Sequence, residues 1–424
     1  MVFSLREKIA QIVDGMTDEI VDLTCQSIRF PTIAATGASY PECVDFLSEK
    51  LGEAGLAVER IEIPREYLER FWGKNLEKTR EYIKVKEWGP PKVIAFGKWA
   101  GTVGKPSLHL NCNYGISDPK GNPFEPTVKE GKIFGKGASD PRAGTVSQIM
   151  AVKALRKAGA TLKGNLFVSQ TPDNHLGGES CVGFLVDKGY GKSSMVINGM
   201  QCGADTVILG HKGALWLKIT TFGEWAHPGE PVRINAIDKM MKIHNAIREL
   251  DQKFVKKKIK TKWPMWATGI SRPSFDVCAI KAEGLAVPDK CVMYADRRLN
   301  PEETMKSVKE EILGEIRKLK RADKDLKAEV EFIHSVESSF TPPDSLLAKT
   351  LMRNIRQTMG VRPKAVVMAG YKNSRFFTRK WKAQTVIYSP GLPGVHRGRG
   401  EYVPIQDLVS ATKVLALTIM DLLG

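Results

Sequence analysis

The sequence alternates short runs of β-forming residues with longer segments in which apolar residues recur at helical spacing. Glycine-rich turns separate the two kinds of segment, a pattern typical of a mainly parallel sheet flanked by helices. The β-forming runs before residue 200 are LAVERIEI, KVIAFGKW, SLHLNCN, NLFVSQT and SMVING. We therefore predict an α/β fold. We expect its functional site where the strands end, because open parallel sheets bind ligands at their carboxyl edge.

The pattern changes at residue 214 and returns at residue 336. Between these positions, long strands such as ALWLKITTFGEW accompany two long helices with apolar residues at i, i+3 and i+4. We predict a smaller α+β domain, 214–335, inserted into a larger α/β domain formed by 1–213 and 336–424. Two amphipathic helices are predicted in the first fifty residues.

The charge of the chain bears on its partners. The 424 residues carry a net charge of +17, and the densest basic run, 255–263, is typical of a solvated helix end. No zinc finger or RNP-like pattern accompanies it, so we favour a small anionic substrate over nucleic acid. No apolar run approaches the roughly 20 residues that cross a bilayer, and the N-terminus lacks a signal-peptide core. We expect a cytoplasmic protein without a membrane partner.

The cysteines do not form a recognisable pattern. There are seven, an odd number, and no C-x-x-C pair occurs among them. This argues against a disulfide framework or a structural zinc site, and most cysteines are expected to be buried. Cys112 remains a candidate nucleophile for metal-free chemistry, although no partner base is evident in the sequence.

Several polar residues follow the predicted strands. Asp140 precedes Pro141, His175 follows the run NLFVSQT, and His396 follows QTVIYSPG. Two histidines and a carboxylate at the strand ends of one sheet could hold a metal ion. Each also has a simpler interpretation: Asp140 as a helix N-cap, His175 as a loop residue bonded to backbone, and His396 as part of an exposed basic loop.

Longer stretches resemble the family of co-catalytic zinc hydrolases that includes aminoacylase, acetylornithine deacetylase, succinyl-diaminopimelate desuccinylase and the glutamate carboxypeptidases. The resemblance covers nearly the whole chain. It implies that 214–335 is a lid or dimerisation domain and that the protein is a homodimer or a higher homo-oligomer. The stretches that carry it are NPFEPTVKEGKIFGKGASDPRAG, FGEWAHPGEPVRINAI, VPDKCVMYADRRLNPEET and GLPGVHRGRGEYVPIQDL.

The resemblance also shows where this chain departs from the family. The family holds one metal with a histidine of a G-H-x-D motif, a bridging aspartate and a further acidic residue. Here the motif reads CNYG, so Asn113 stands at the histidine position and Gly115 at the aspartate position. Met200 falls at the acidic position, beside Gln201. Amide and thioether groups do not replace imidazole and carboxylate on zinc, so this metal site has lost two of its ligands.

The second metal position keeps a full ligand set. The resemblance places Asp140, His175 and His396 at the bridging aspartate, the second glutamate of a pair and the C-terminal histidine. We predict one divalent transition metal there, zinc, manganese or cobalt, which could be labile. Three protein ligands leave coordination positions open for water or substrate.

The general base of the family is replaced. Asn174 stands at its position, and an amide cannot take a proton from water at neutral pH. Asp173, another group or the substrate takes this role, or the hydrolytic activity is lost. His227, in WAHPG, matches a family histidine that reaches the partner subunit's site and stabilises the oxyanion.

Three further residues are predicted to contact substrate. Arg298 and Arg375 resemble family arginines, and arginine is suited to binding a carboxylate. Asn113 is the third. We predict a divergent metal-dependent hydrolase of a C–N bond (amide, peptide or amine) in a small carboxylate-bearing substrate. Two alternatives remain: a catalytically silent relative, without metal, that acts as a binding or assembly protein, and metal-free chemistry.

Overall fold

The computed structural model describes residues 4–34, 36–72, 91–116, 123–172, 178–231, 234–266, 269–395 and 400–424. The chain divides into two compact units. The larger unit contains 1–210, 340–366 and 372–424, and the smaller unit contains 211–339 and 367–371. The short segment Val367–Tyr371, which the sequence analysis assigned to the larger domain, therefore belongs to the smaller unit.

The strands of the described residues form three sheets. In chain order they are β1 Ala57–Glu62, β2 Val93–Trp99, β3 Gly104–Asn113, β4 Thr127–Lys129, β5 Lys132–Phe134, β6 Gly164–Thr171, β7 Met195–Asn198, β8 Thr206–His211, β9 Gly213–Phe222, β10 Ser274–Lys281, β11 Lys290–Leu299, β12 Lys327–Val336, β13 Ser339–Phe340, β14 Lys364–Met368, β15 Gln384–Ile387 and β16 Tyr402–Pro404.

The helices of the described residues are α1 Leu5–Gly15, α2 Thr17–Ile28, α3 Tyr40–Glu53, α4 Arg65–Trp72, α5 Ala143–Lys157, α6 Phe184–Lys188, α7 Ala236–Lys256, α8 Met305–Ala322, α9 Leu346–Met359, α10 Ser374–Phe376 and α11 Ile405–Leu423. Single π-helical turns occur at Ala138–Arg142, Glu179–Gly183 and Phe377–Trp381. None of the helices in the described part of the chain has the length and apolarity that a bilayer crossing needs.

The main sheet confirms the predicted fold class. Its order is β1-β2-β6-β3-β7-β15-β8-β13, with β14 beside β8. The central strands β6, β3, β7 and β15 are parallel, whereas β1 and β2 add an antiparallel edge. Helices α5 and α11 pack together beside it. Most of α5 is buried on all sides, which is why its sequence is only weakly amphipathic.

The N-terminal segment differs from the prediction of two helices in the first fifty residues. The structure has three: α1 ends at Gly15 and α2 begins at Thr17, with Met16 between them, and α1 is the helix that the prediction missed. Ser4 and Glu7 form a capping box that starts α1, as this pair of residue types at this spacing favours. The sequence analysis also missed the short strands β4, β5 and β16, which form a separate antiparallel sheet.

The smaller unit is an antiparallel sheet in the order β10-β11-β9-β12. Alternate residues of β9, namely Leu215, Leu217 and Ile219, belong to a buried cluster with apolar residues of α7 and α8. Both helices begin with a side-chain cap: Asn235 accepts from the backbone of Ile237, and Thr304 forms a capping box with Ser307.

Candidate active site

The carboxyl ends of the four parallel strands lie at one edge of the main sheet. Backbone hydrogen bonds continue across this edge beyond the last strand residues. Tyr114 donates to the carbonyl of Thr171 at 2.8 Å, and Tyr388 donates to the carbonyl of Asn198 at 3.0 Å. The residues that follow each strand are therefore held side by side, as the sequence analysis expected for a functional site.

Asp140 lies in this region, on the loop between β5 and α5. It is 5% exposed, and its Oδ1 is buried without a hydrogen-bond partner in the described chain. The residue interrupts a π-helical turn, with φ of −140° and ψ of 108°. A buried carboxylate oxygen is costly to leave unpaired, and a metal ion is one of the partners that explains such an oxygen. The geometry of Asp140 therefore fits a metal ligand.

Arg142 fixes the far end of the same loop. Its guanidinium donates to the carbonyl of Phe30 at 2.9 Å, to the hydroxyl of Thr32 at 2.8 Å and to the carbonyl of Tyr114 at 3.2 Å. The side chain is fully buried. These bonds tie the Asp140 loop to the segment that follows β3 and to the segment between α2 and α3.

Glu401 holds the loop from the other side. Its fully buried carboxylate accepts hydrogen bonds from the backbone N–H groups of Gly137, Ser139 and Asp140, each at 3.1 Å. The ammonium of Lys136 lies 3.4 Å from Glu401 Oε2. Burial raises the pKa of Glu401, and its hydrogen bond from Gly137 and the nearby Lys136 charge oppose that shift. The sequence analysis missed Glu401, although it is the only acidic residue between 389 and 406.

His396 lies outside the described residues, but the chain on either side of it contacts the Asp140 loop. The carbonyl of Leu392 accepts a hydrogen bond from the Ser139 hydroxyl at 3.1 Å. Gly391 lies so close to Ser139 that an added Cβ would sit 1.9 Å from the Ser139 carbonyl oxygen. Glu401 follows five residues after His396. The described residues before and after 396–399 thus contact the segment that carries Asp140.

Asp173, Asn174 and His175 also lie outside the described residues, so their predicted roles stay predictions. The chain on both sides of them is fixed. Before them, the carbonyl oxygen of Pro172 lies 2.1 Å from the place where a Cβ on Gly115 would stand. After them, a Cβ on Gly178 would stand 2.0 Å from Oδ1 of Asn373. The close approach of Pro172 leaves no room for a side chain at Gly115, which stands at the position of the family's aspartate.

Asn113 and Met200 are both buried in the larger unit. The amide nitrogen of Asn113 donates to the carbonyl of Gly115 at 3.1 Å, whereas its Oδ1 has no hydrogen-bond partner in the described chain. No group of three or more His, Cys, Asp or Glu side chains suited to a metal occurs among the described residues. Since that part of the chain lacks His175 and His396, the predicted ligand set is not tested by this observation.

Cys112 is not suited to the nucleophilic role that one alternative gives it. Its side chain is fully buried and its thiol donates to the carbonyl of Gly199 at 2.7 Å. Burial raises the pKa of the thiol to about 12, so the reactive thiolate is scarce at neutral pH. The structure therefore argues against metal-free chemistry through Cys112.

Arg375 already has a carboxylate partner. Its guanidinium forms an ion pair with Glu179 and donates to the carbonyl of Lys372 at 3.3 Å. The residue is 5% exposed. Because Glu179 immediately follows Gly178, this pair fixes the chain beside Asp173, Asn174 and His175. Substrate binding by Arg375 stays a prediction, and its contacts in the described chain show that it joins Glu179 to the segment of Lys372.

The smaller unit contains the other two predicted residues. Arg298 lies on β11, partly exposed, with its guanidinium 2.8 Å from Oδ2 of Asp296 and 6.0 Å from the ring centre of Tyr371. His227 is exposed in the turn after β9, where its backbone N–H donates to Glu230 at 3.3 Å. Both side chains are accessible to a ligand or to a second copy of the chain.

Comparisons with known proteins identify the family of the chain. Residues 115–421 match the sequence profile of Peptidase family M20/M25/M40. An uncharacterized metallohydrolase of Methanocaldococcus jannaschii is 24% identical over 318 residues, which cover 69% of this chain and 74% of the relative. The succinyl-diaminopimelate desuccinylase of Nautilia profundicola is 24% identical over 337 residues, covering 75% of this chain and 82% of the relative.

A solved structure shows the same fold. The dinuclear metal-binding peptidase of the M20 family from Bacillus subtilis has a TM-score of 0.66 and 12% identity, covering 96% of this chain and 99% of the other. The fold and the matched profile define a metal-dependent hydrolase of amide or peptide bonds. The chain belongs to peptidase family M20/M25/M40, which confirms the resemblance found in the sequence.

Proposed function

We propose that this chain is a divergent hydrolase that cleaves a C–N bond in a small substrate bearing a carboxylate, using one remodelled metal site. The observation that carries the proposal is Asp140, a buried carboxylate with an unpartnered oxygen at the carboxyl edge of the sheet. Its loop is held by Glu401 on one side and by Arg142 on the other. Such a loop presents a ligand at low entropic cost.

Asp140, His175 and His396 are the proposed ligands of a zinc, manganese or cobalt ion. The segments beside both histidines lie against Gly115 or against the loop of Asp140. When bound, the ion supplies a Lewis acid that polarises the bond under attack. The family's other metal position is not rebuilt, because Gly115 has no space for a carboxylate and Met200 offers only a thioether.

The proton chemistry is proposed to fall to residues between Pro172 and Gly178. Asp173 is the proposed base, since a carboxylate can accept the proton that an amide cannot. Asn174 then orients water or substrate by hydrogen bonding. His227 of a second copy is proposed to stabilise the oxyanion that forms during hydrolysis, and its exposed position suits a role across an interface.

The substrate contacts follow from the donors and acceptors that remain available. The Asn113 amide nitrogen is already bonded to Gly115, so its buried Oδ1 offers an acceptor for an N–H or O–H group of the substrate. Arg298 is proposed to bind the substrate carboxylate, because it is partly exposed and retains donors beyond its bond to Asp296. Arg375 is proposed as a second contact.

The smaller unit is the proposed lid and dimerisation domain. It exposes Trp225 at 65%, Met241 at 41% and Ile237 at 37%, two of which lie on the first turns of α7. Exposed apolar residues grouped on one element are typical of protein interfaces. We propose that two copies associate through this surface to form a homodimer or the core of a larger homo-oligomer.

A second candidate function is a catalytically silent relative that binds or assembles without hydrolysis. The replacement of family ligands by Asn113, Gly115 and Met200 favours it. The two candidates differ in metal content, which can be measured on protein purified without chelators and without a histidine tag. About one transition metal per chain, lost in His175→Ala, supports the hydrolase. About two metals would contradict the ligand assignment, and none would favour the silent relative.

A further inference from the structure

Glu401 is separated from Asp140 by 261 positions in the sequence, yet it contacts the backbone of Asp140 directly. The antiparallel pairing of β16 with β5 brings the two segments together, with Tyr402 opposite Phe134. In this register the backbone carbonyl of Glu401 accepts from Gly135 at 3.0 Å. The side chain of Glu401 then points along the loop that leads from β5 to Asp140.

The carboxylate of Glu401 organises this loop by accepting several of its N–H groups at once. Oε1 accepts from Ser139 and Asp140, and Oε2 accepts from Gly137. These N–H groups have no helical partner of their own at the start of a π-helical turn. The Lys136 ammonium, 3% exposed, balances part of the buried charge. Hydrogen bonds from three N–H groups and a nearby ammonium compensate the cost of burying this carboxylate, so Glu401 is an integral part of the loop structure.

We propose that Glu401 is a positioning residue that holds Asp140 in the conformation that binds metal. The inference rests on the proposed function, because it assumes that Asp140 is a ligand. Its mechanism is direct: the hydrogen bond from the Asp140 N–H fixes the backbone from which the ligand carboxylate extends. Groups that orient metal ligands typically change metal affinity by about 10- to 100-fold when they are replaced.

The test compares Glu401→Gln with a matched control on the full-length chain. Glutamine keeps the size of the side chain, but it removes the charge that faces Lys136 and turns an amide N–H toward backbone donors. The control is Asp421→Asn in α11. The carboxylate of Asp421 accepts hydrogen bonds from Arg353 and Asn354. This control removes an ion-pairing carboxylate of the same unit without touching the Asp140 loop.

Two quantities are measured. The first is the Kd of Zn²⁺ and Mn²⁺ by titration calorimetry, which we expect to rise about 10- to 100-fold in Glu401→Gln and less than about 2-fold in Asp421→Asn. The second is amide hydrogen exchange over 135–142 in protein kept metal-free with a chelator. We expect faster exchange in Glu401→Gln alone, because three N–H groups lose their charged acceptor.

The outcomes separate this inference from the proposed function. A wild-type chain that binds neither metal contradicts the function, and the inference fails with it. A wild-type chain that binds metal, together with unchanged affinity in Glu401→Gln, contradicts the inference alone. An equal loss of affinity in Asp421→Asn also contradicts it, because the effect would then come from general destabilisation. If a variant that removes most of the side chain, such as Glu401→Ala, fails to fold, the metal affinity of the isosteric Glu401→Gln variant still tests the inference.

Discussion

At the scale of single residues, the site is distinguished by buried oxygens that the described chain leaves unpaired. Oδ1 of Asp140 and Oδ1 of Asn113 are both in this position. An unpaired buried polar group costs about 1–3 kcal/mol, more when it is charged. Sequence motifs indicated both residues as site candidates, through the resemblance to the family. They could not show the orientation of the Asn113 amide, which depends on the bond to Gly115.

Asp140→Asn is expected to abolish metal binding without destabilising the metal-free protein. Removing a buried charge that has an unpartnered oxygen relieves a desolvation cost, so the melting temperature with chelator should be equal to or above that of the wild type. Added zinc or manganese should raise the melting temperature of the wild type but not that of Asp140→Asn. The control is Asp205→Asn, which breaks a surface ion pair with Lys364 and should leave the metal response intact. A metal response that survives in Asp140→Asn would remove Asp140 from the ligand set.

Cys112 is expected to resist alkylation in the folded protein. With a thiol pKa of about 12, roughly one molecule in ten thousand carries the thiolate at pH 8, and the side chain is fully buried. Cys278, which is exposed, provides the internal control. Peptide mass spectrometry after brief iodoacetamide treatment should find label on Cys278 and little on Cys112 until the protein is unfolded. Rapid labelling of Cys112 would revive the metal-free alternative.

At the scale of elements, most strands of the main sheet were predictable, whereas β8, β13 and the small sheet were missed. Three strands of the main sheet lie in apolar runs with clear boundaries, so pattern alone located the ends of β2 and β6 within one residue and those of β3 within three. The small sheet contains three-residue strands, and one of its pairings joins 132–134 to 402–404. A run of three residues is too short to show the alternation of apolar and polar residues that predicts a strand. A pairing between distant segments cannot be predicted from the sequence of either segment alone. The role of Glu401 was missed for this reason.

Gly391→Ala is expected to disturb the loop of Asp140 from its C-terminal side. The new Cβ would stand 1.9 Å from the carbonyl oxygen of Ser139, so the backbone must move. Overpacking of this kind costs about 1–3 kcal/mol or more of stability and should weaken metal binding as well. Gly15→Ala is the matched control, because nothing lies within 4 Å of its added Cβ. Urea unfolding and metal titration measure both effects, and a neutral Gly391→Ala would contradict the packing described.

At the scale of the whole molecule, the change near residue 214 from an α/β to an α+β sequence pattern predicted a second compact unit. The sequence could not show that 367–371 joins that unit, because these residues lie far from it along the chain. The association state also depends on surface composition, which becomes visible only when exposure is known. The net charge of +17 suits attraction of an anionic substrate from solution, an effect that salt would screen.

Met241→Asp is expected to dissociate the proposed dimer. Met241 is 41% exposed on α7, and a buried unpaired carboxylate at the interface would cost several kcal/mol in each copy. Light scattering at micromolar concentration should give a mass near twice 47.0 kDa for the wild type and about half of that for the variant. Val103→Asp, at a 71% exposed position of the larger unit, is the control and should leave the mass unchanged. A monomeric wild type would contradict the proposed interface.

The central claim is a single metal ion held by Asp140, His175 and His396. It is tested most directly by a crystal structure with anomalous diffraction at the absorption edge of the bound metal. The account predicts one strong anomalous peak per chain, with a carboxylate oxygen of Asp140 and a ring nitrogen of each histidine within about 2.0–2.3 Å. Two peaks per chain, or one peak with His175 turned away from Asp140 and His396, would contradict the account.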